Sequence, residues 1–463
     1  PTDGARCIQA LTIALQHGTC ESGSWYVSTS NMEMASMQLC RVRRSAIMVH
    51  VRFESHTPWN LWSSRDARRD SQDVARVPTM RVQSITWTNS HLPLREVDWP
   101  DSMRSLTFGY LFNQPIDGVS WPSSLVQLAF WDYFNQPVRD MEWPTSLREL
   151  TFGDYFNQPI DGVVWPGGLK QLAFGYDFNQ PIEDVDWPSS LQQLTLRGKF
   201  DQPIERTIWP DTLCKLTIIG NFNHPIETVV WPGSLLQLAV WDDFNHPIEG
   251  VAWPSSLRRL AFLGHFNQPI EGVSWPDSLQ RLELGIDFNQ RIEGVVWPSA
   301  LHTLGCGCGF DQPIEDVEWP ASLRKLTFGA EFNRPIERAA WPNSLQKLTF
   351  GNDFNHPIRK VVWPTSLLQL IFGYSFDQPI DKVVWPARLR HLTLGEAFDH
   401  PVQDVDWPTA LQELTFGDAF NRPIDDAVWP PTLHQLILGD AFNQPVHGMR
   451  WPPCLQELSL GNA

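Results

Sequence analysis

The 463-residue sequence predicts a repeat solenoid: a parallel β-sheet wound from 22-residue coils, with extended or 3-10 return legs in place of helices. Three observations carry this. Trp-Pro recurs every 22 residues from Trp99 through Trp121 and Trp143 to Trp451, 17 times, with no insertion or deletion. With that Trp as position 1, position 8 is Leu in all 17 units and position 14 is Phe in all 16 complete units. Proline recurs at positions 2 and 17, as at Pro144 and Pro159, and forbids helix through those stretches. A 22-residue unit is also too short for a strand plus a full crossover helix.

The unit reads W-P-x-S-L-x-x-L-x-F-G-x-x-F-N-x-P-I-x-x-V-x, and the third copy shows what each part does. In Leu150-Thr151-Phe152 the alternation puts Leu150 and Phe152 on one face of a short strand, with Glu149 and Thr151 on the other. Gly153 marks the strand's end, as do Gly109 and Gly175 in their coils. Trp143, Leu147, Leu150, Phe152, Phe156, Ile160 and Val163 are the candidates for burial. One coil cannot offset its ordering entropy with them, so neighbouring coils must cover each other and share ladder hydrogen bonds. Position 15 is expected to form a structural ladder, as Asn in Asn113, Asn135, Asn157, Asn179, Asn223 and Asn245, and as Asp in four coils. An inward amide there would satisfy turn N–H and C=O groups.

Outside the array the pattern fades. Residues 77–98 read as a degenerate capping repeat: Val77-Pro78 sits one period before Trp99-Pro100, while Ile85 and Trp87 look like a strand slipped by one residue. Residues 1–76 form a poorly patterned N-terminal extension, with nine Arg, no Lys, and Cys7, Cys20 and Cys40. Its apolar run from Cys7 to Leu15 behind Arg6 has the outline of a secretory signal without a clear cleavage motif. Pro1 is not a translation start, so the expectation is either a processed extension or initiation at Met80. Residues 99–463 are the solenoid, its last repeat truncated, and the final strand around Leu458 and Leu460 offers an edge for end-to-end self-association.

Composition then narrows function. A formal net charge of −17, from 52 acidic and 35 basic residues, disfavours a nucleic-acid-backbone binder. No run of 18 apolar residues is present to span a membrane. There is no GxGxxG, P-loop, HExxH or GxSxG, so no catalytic residue and no cofactor are expected. Cys306-Gly307-Cys308 with His302 is the one metal-like cluster; it lacks a fourth ligand at zinc spacing, and Cys306 falls where other coils carry Phe, Leu, Ile or Val. A buried apolar thiol is the expectation, with no metal. The Trp row is expected in the core, and the histidines of position 16 at the surface.

The segments Phe134-Asn135-Gln136-Pro137-Val138 and Phe156-Asn157-Gln158-Pro159-Ile160 resemble the FNIP repeat, a 22-residue relative of the leucine-rich repeats. Leu147 to Phe152 likewise resembles the L-x-x-L-x-L strand of leucine-rich repeats. The resemblance covers residues 99–463 and implies a leucine-rich-repeat-like parallel solenoid used for protein–protein contacts, with no catalytic residues to carry over. Trp at position 1 replaces the family's usual Leu.

The variable positions supply the site. Position 19 is acidic in 12 of 16 complete coils, including Glu183, Glu205, Glu227, Glu249, Glu271, Glu293, Glu315 and Glu337 in succession. Positions 6 and 7 instead collect Lys215, Arg258, Arg259, Arg281, Arg324, Lys325 and Lys347. The expected function is therefore a non-enzymatic scaffold or recognition solenoid that binds a protein partner, an acidic segment, along its strand face. The alternative is a carbohydrate- or surface-binding module using the Thr row of position 9 (Thr151, Thr195, Thr217, Thr327, Thr349), which Ala129, Ala173, Ala239 and Ala261 interrupt. No partner, pathway or compartment is named by the sequence.

Overall fold

In a computed structural model the described residues are 25–27, 49–53, 83–87, 94–97 and 99–461. The apolar run from Cys7, and Val77, Pro78, Met80 and Pro93, lie outside them. The chain divides into two compact units, Pro1–Leu213 and Cys214–Ala463. In the first, parallel strands Trp25–Val27, Val49–Phe53, Ser84–Trp87 and Ser105–Phe108 pair in that order, and one further strand follows per coil to Gln193–Leu196. In the second, strands run one per coil from Lys215–Ile218 to Glu457–Ser459, each paired in parallel with the next. The 3-10 turn Leu94–Glu96 is the sole helical element among the described residues, so the return legs are turns and extended chain.

Strand registry follows the repeat. Leu150 faces Leu128 and Leu172, so the position-8 column is Leu against Leu. Ile85 pairs with Leu106 and Trp87 with Phe108, one residue short of the 22-residue period, which is the slip read in the sequence. The strand core is positions 7 to 9, where position 8 is inward and positions 7 and 9 are outward.

All seven apolar residues of the third coil are buried, none more than 8 % exposed. The rings form two ladders. Phe152 stacks on Phe156 within its coil at 4.1 Å, and Phe156 stacks on Phe178 of the next at 6.2 Å. Trp143 lies edge-on to Phe152 and stacks on Trp165 at 6.3 Å, beyond its area burial an arrangement worth roughly 0.5–1.5 kcal/mol per pair. The tryptophans of position 1 are core residues, and their indole Nε1 groups from Trp99 to Trp429 are buried without a hydrogen-bond partner.

Pro144 opens a turn in which its carbonyl accepts from Leu147 N–H at 3.0 Å, so the missing proline donor costs nothing there. The Ser of the repeat has a role too: Ser146 Oγ donates to the Leu125 carbonyl of the previous coil at 2.6 Å, and Ser190, Ser256, Ser322 and Ser344 repeat the bond.

Position 15 differs from expectation. Asn135, Asn157 and Asn179 are half-buried, and Asn113, Asn223 and Asn245 are exposed, so the amides are not inward. Once Phe at position 14 has filled the core, the next side chain must turn out. It acts between coils: Asn113 Oδ1 accepts from Asn135 N–H at 2.9 Å and from Gln136 Nε2 at 2.9 Å, and Asn135 does the same for Asn157 and Gln158. Asn245 in turn accepts from Asn267 N–H. Only the acceptor oxygen is used on the following N–H, which is why Asp serves equally at Asp311 and Asp377.

The glycines of position 11 are required by close approach rather than by backbone freedom. A Cβ on Gly351 would lie 1.6 Å from the Gly329 carbonyl oxygen, and one on Gly329 1.8 Å from that of Gly307. Trp131, Arg197 and Ile219 replace this glycine just past four-residue strands, whereas Trp241 and Leu263 do so within six-residue ones, Gln237–Asp242 and Arg259–Gly264, which pair throughout.

Candidate functional site

The basic residues converge within the second unit. The position-7 column runs Lys215, Gln237, Arg259, Arg281, Thr303, Lys325, Lys347, each paired through its Cα to the next. Six steps at the ~4.8 Å strand spacing make a row of about 29 Å. The backbone that carries it is pinned: Arg258 and Arg259 N–H both donate to the Leu236 carbonyl, and Arg324 and Lys325 N–H both donate to that of His302. Since Leu216, Leu260, Leu282, Leu326 and Leu348 are buried, the preceding side chain in each strand must project outward. Lys215, Arg258, Arg259, Arg281 and Arg324 are exposed; Lys325 and Lys347 are half-buried.

Arg281 is tied down, because Glu283, two residues on, accepts from its Nε at 2.9 Å and also from its terminal nitrogen. Among the described residues Glu283 is the acid that interrupts the basic face, standing between Ala261 and Gly305 on the position-9 column. Further along, His391 Nδ1 lies 2.7 Å from Glu413 Oε2, so the column changes sign toward the C-terminal coils.

The acidic row lies elsewhere, in the turn between buried Ile at position 18 and the residue at position 21. There Val251 N–H bonds the Ile248 carbonyl at 3.4 Å, leaving Glu249 exposed at the corner. Glu227, Glu271 and Glu337 are exposed likewise, whereas Glu293 and Glu315 are partly neutralised by Arg291 and Arg338. The Thr row is less open: Thr195, Thr217, Thr327 and Thr349 are half-buried and Thr151 is exposed.

Cys306 faces the core, where burial pushes its thiol up to about 12, while Cys308 is exposed, so the two sulfurs do not share a site. Among the described residues no group of three His, Cys, Asp or Glu side chains is placed to hold a metal, and no helix is long and apolar enough to cross a membrane. Positions 12 and 13, which carry no consensus residue, hold an exposed aromatic edge in the first unit that the repeat pattern did not flag. Its signal was four of the chain's six tyrosines falling in successive coils, Tyr110, Tyr133, Tyr155 and Tyr176.

The FNIP Repeat family model matches residues 134–177, 178–221, 266–308, 310–353, 354–397 and 398–441. Among solved structures, the circular leucine-rich-repeat protein CroV588 is 33% identical over 89% of this chain, with a TM-score of 0.69. The chain spans 66% of that protein's length. A chain of the Toll–Spatzle complex of Drosophila matches at 12% identity over 77% of this chain and 50% of its own length, with a TM-score of 0.47. An internalin from Listeria monocytogenes matches at 12% identity over 71% of this chain and 84% of its own, with a TM-score of 0.39. No curated protein matches the chain.

Proposed function

Because this chain belongs to the FNIP-repeat family of leucine-rich-repeat-like solenoids, we propose that it is a non-enzymatic scaffold whose strand face recognises protein partners. The face in question is that of residues 214–463, and the ligand is an extended acidic segment. The observation that carries this is the in-register column from Lys215 to Lys347, five cations in seven successive coils on a molecule of net charge −17.

Each exposed pair formed with a ligand is weak, roughly 0–1 kcal/mol. Several aligned pairs steer association and fix the register of an extended ligand, since the row is longer than the Debye length of about 8 Å at physiological salt. Arg258 and Arg324, beside the column, widen the field. The carbohydrate alternative is less well supported, because most tryptophans of the position-1 row that would stack on sugars are buried and Ala239 and Ala261 break the hydroxyl row.

The test is fluorescence polarisation with a labelled octaglutamate peptide. Changing Arg259, Arg281, Lys325 and Lys347 to Ser should leave the fold intact and weaken binding, most at low salt. Changing Glu249, Glu271, Glu293 and Glu315 to Gln should not weaken it. Equal binding by the parent and the Ser variant would exclude the strand face.

A further inference from the structure

The first unit carries a second exposed surface of opposite character. Tyr110, Trp131, Tyr133, Tyr155 and Tyr176 are 50 %, 52 %, 38 %, 47 % and 56 % exposed, all on the turns that follow successive strands. A backbone ladder sets them in a column: Tyr133 N–H donates to the Tyr110 carbonyl, Tyr155 N–H to that of Asp132, Asp177 N–H to that of Asp154, and Lys199 N–H to that of Tyr176. The rings meet along it. Tyr110 is edge-on to Tyr133 with centroids 5.0 Å apart, and Tyr133 stacks on Tyr155 at 4.8 Å.

Each of three coils puts a carboxylate beside its tyrosine, as Asp132-Tyr133, Asp154-Tyr155 and Tyr176-Asp177. In the last of them the pair already holds a cation. Lys199 Nζ sits 5.9 Å from the Tyr176 ring centroid and 2.8 Å from Asp177 Oδ1. Among the described residues no ion pair is formed by Asp132 or Asp154. The electrostatics agree: the Tyr110 phenol is held above its usual value by its hydrogen bond to Tyr133 and by the charges of Tyr133 and Asp132, and that of Tyr155 by Tyr133, Asp177 and Asp132.

We propose that the edge from Tyr110 to Tyr155 binds a basic peptide segment of a partner protein, whose Lys or Arg side chains pack along the exposed rim of the Tyr110, Tyr133 and Tyr155 rings and pair with Asp132 and Asp154, as Lys199 packs against Tyr176 and pairs with Asp177. Tyr, Trp and Arg are the residues in which binding energy concentrates at interfaces, and a cation over an aromatic face adds to it. Arg197 and Lys199 bound the edge at the fifth coil and repel a cationic segment there, which confines it to the coils before. This surface is separate from the basic column and selects the opposite charge.

The test uses the full chain and a fluorescein-labelled octa-arginine peptide, with octa-citrulline as the neutral isostere. The parent should bind octa-arginine and not octa-citrulline. Tyr133→Leu with Tyr155→Leu should weaken binding about tenfold while the chain stays folded by circular dichroism. Asp132→Asn with Asp154→Asn, which leaves every ring in place, should weaken it as much and flatten its salt dependence. The control Glu249→Gln, Glu271→Gln, Glu293→Gln, Glu315→Gln removes more charge and should change affinity less than about twofold. The proposal is overturned if the tyrosine variant binds like the parent, or if the glutamate control falls as far, which would mean polyelectrolyte attraction alone. It is equally overturned if maltohexaose binds in a tyrosine-dependent way and octa-arginine does not.

Discussion

Arg334 lies one coil beyond Asp311 and grips it twice: its Nε donates to the Asp311 carbonyl at 2.9 Å, and its terminal nitrogen sits 2.7 Å from the carboxylate. Where position 15 is Asn the next coil mostly supplies Gln, whose Nε2 bonds the amide oxygen as Gln312 does that of Asn289, while His246 and His356 reach the Asn223 and Asn333 carbonyls instead. Where it is Asp, the next coil supplies a cation or a His: Arg334 for Asp311, His400 for Asp377, Arg422 for Asp399. Adjacent coils are therefore matched at their edges as well as in their cores.

Asp311→Asn keeps the oxygen that caps Asn333 N–H and loses only an exposed ion pair, so it should cost under about 1 kcal/mol. Asp311→Ala orphans that donor and should cost more, about 1–3 kcal/mol. Asp311→Asn with Arg334→Gln recreates the common Asn–Gln pair and should recover the parent. Hydrogen exchange of the Asn333 amide measures all three.

Gly351→Ala should be strongly destabilising, beyond the roughly 1–3 kcal/mol of ordinary overpacking, because the obstruction at 1.6 Å is backbone and cannot rotate away. Gly233→Ala, with nothing within 4 Å, should be neutral or stabilise by about 0.4–1 kcal/mol. Chemical denaturation of the two variants side by side checks this, and similar midpoints would contradict the close-approach explanation.

Trp319 is stacked between Trp297 and Trp341 at 6.4 Å on each side. Trp319→Ala should cost about 3–5 kcal/mol, and faster exchange should centre on its own and flanking coils, since each coil touches its neighbours. Trp319→Phe should cost much less, because the buried indole N–H it removes makes no hydrogen bond. Exchange that rose uniformly along residues 214–463 would refute the nearest-neighbour account.

His265 Nδ1 lies 2.6 Å from Asp287 Oδ2, and this hydrogen bond, then the Asp287 charge, raises the imidazole above its usual value of 6.5. Asp243 and Asp242 add in the same direction. A group whose folded value is raised contributes stability that is fully present below its unfolded value. That contribution is lost as pH rises through the folded value. The pair should therefore help the fold below the ordinary imidazole value of 6.5 and lapse as pH rises through the raised one. Asp287→Asn should lower the His265 titration midpoint, read by NMR.

Much of this was legible in the sequence because the period never slips from Trp99 to Trp451. Leu150 and Phe152 announce a strand and its inner face, and a fixed 22-residue interval puts Arg259 beside Arg281 without further information. The alternation that orients Leu150 ends at Gly153, so nothing periodic says which way Asn157 points, and its outward, inter-coil role follows from turn geometry. The tie between Arg281 and Glu283 depends on rotamers. The tyrosine edge occupies positions where the consensus is blank.

Zero-length carbodiimide coupling of octaglutamate to the full chain, followed by peptide mapping, tests the central claim most directly, since it joins a lysine amine only to a carboxylate in contact with it. Lys215, Lys325 and Lys347 lie in the strand-face column, while Lys360 and Lys382 are exposed outside it on position 20. Coupling should concentrate at Lys215, Lys325 and Lys347 and fall in the Arg259→Ser, Arg281→Ser variant. Coupling spread evenly over all five, or favouring Lys360 and Lys382, would contradict recognition by the strand face.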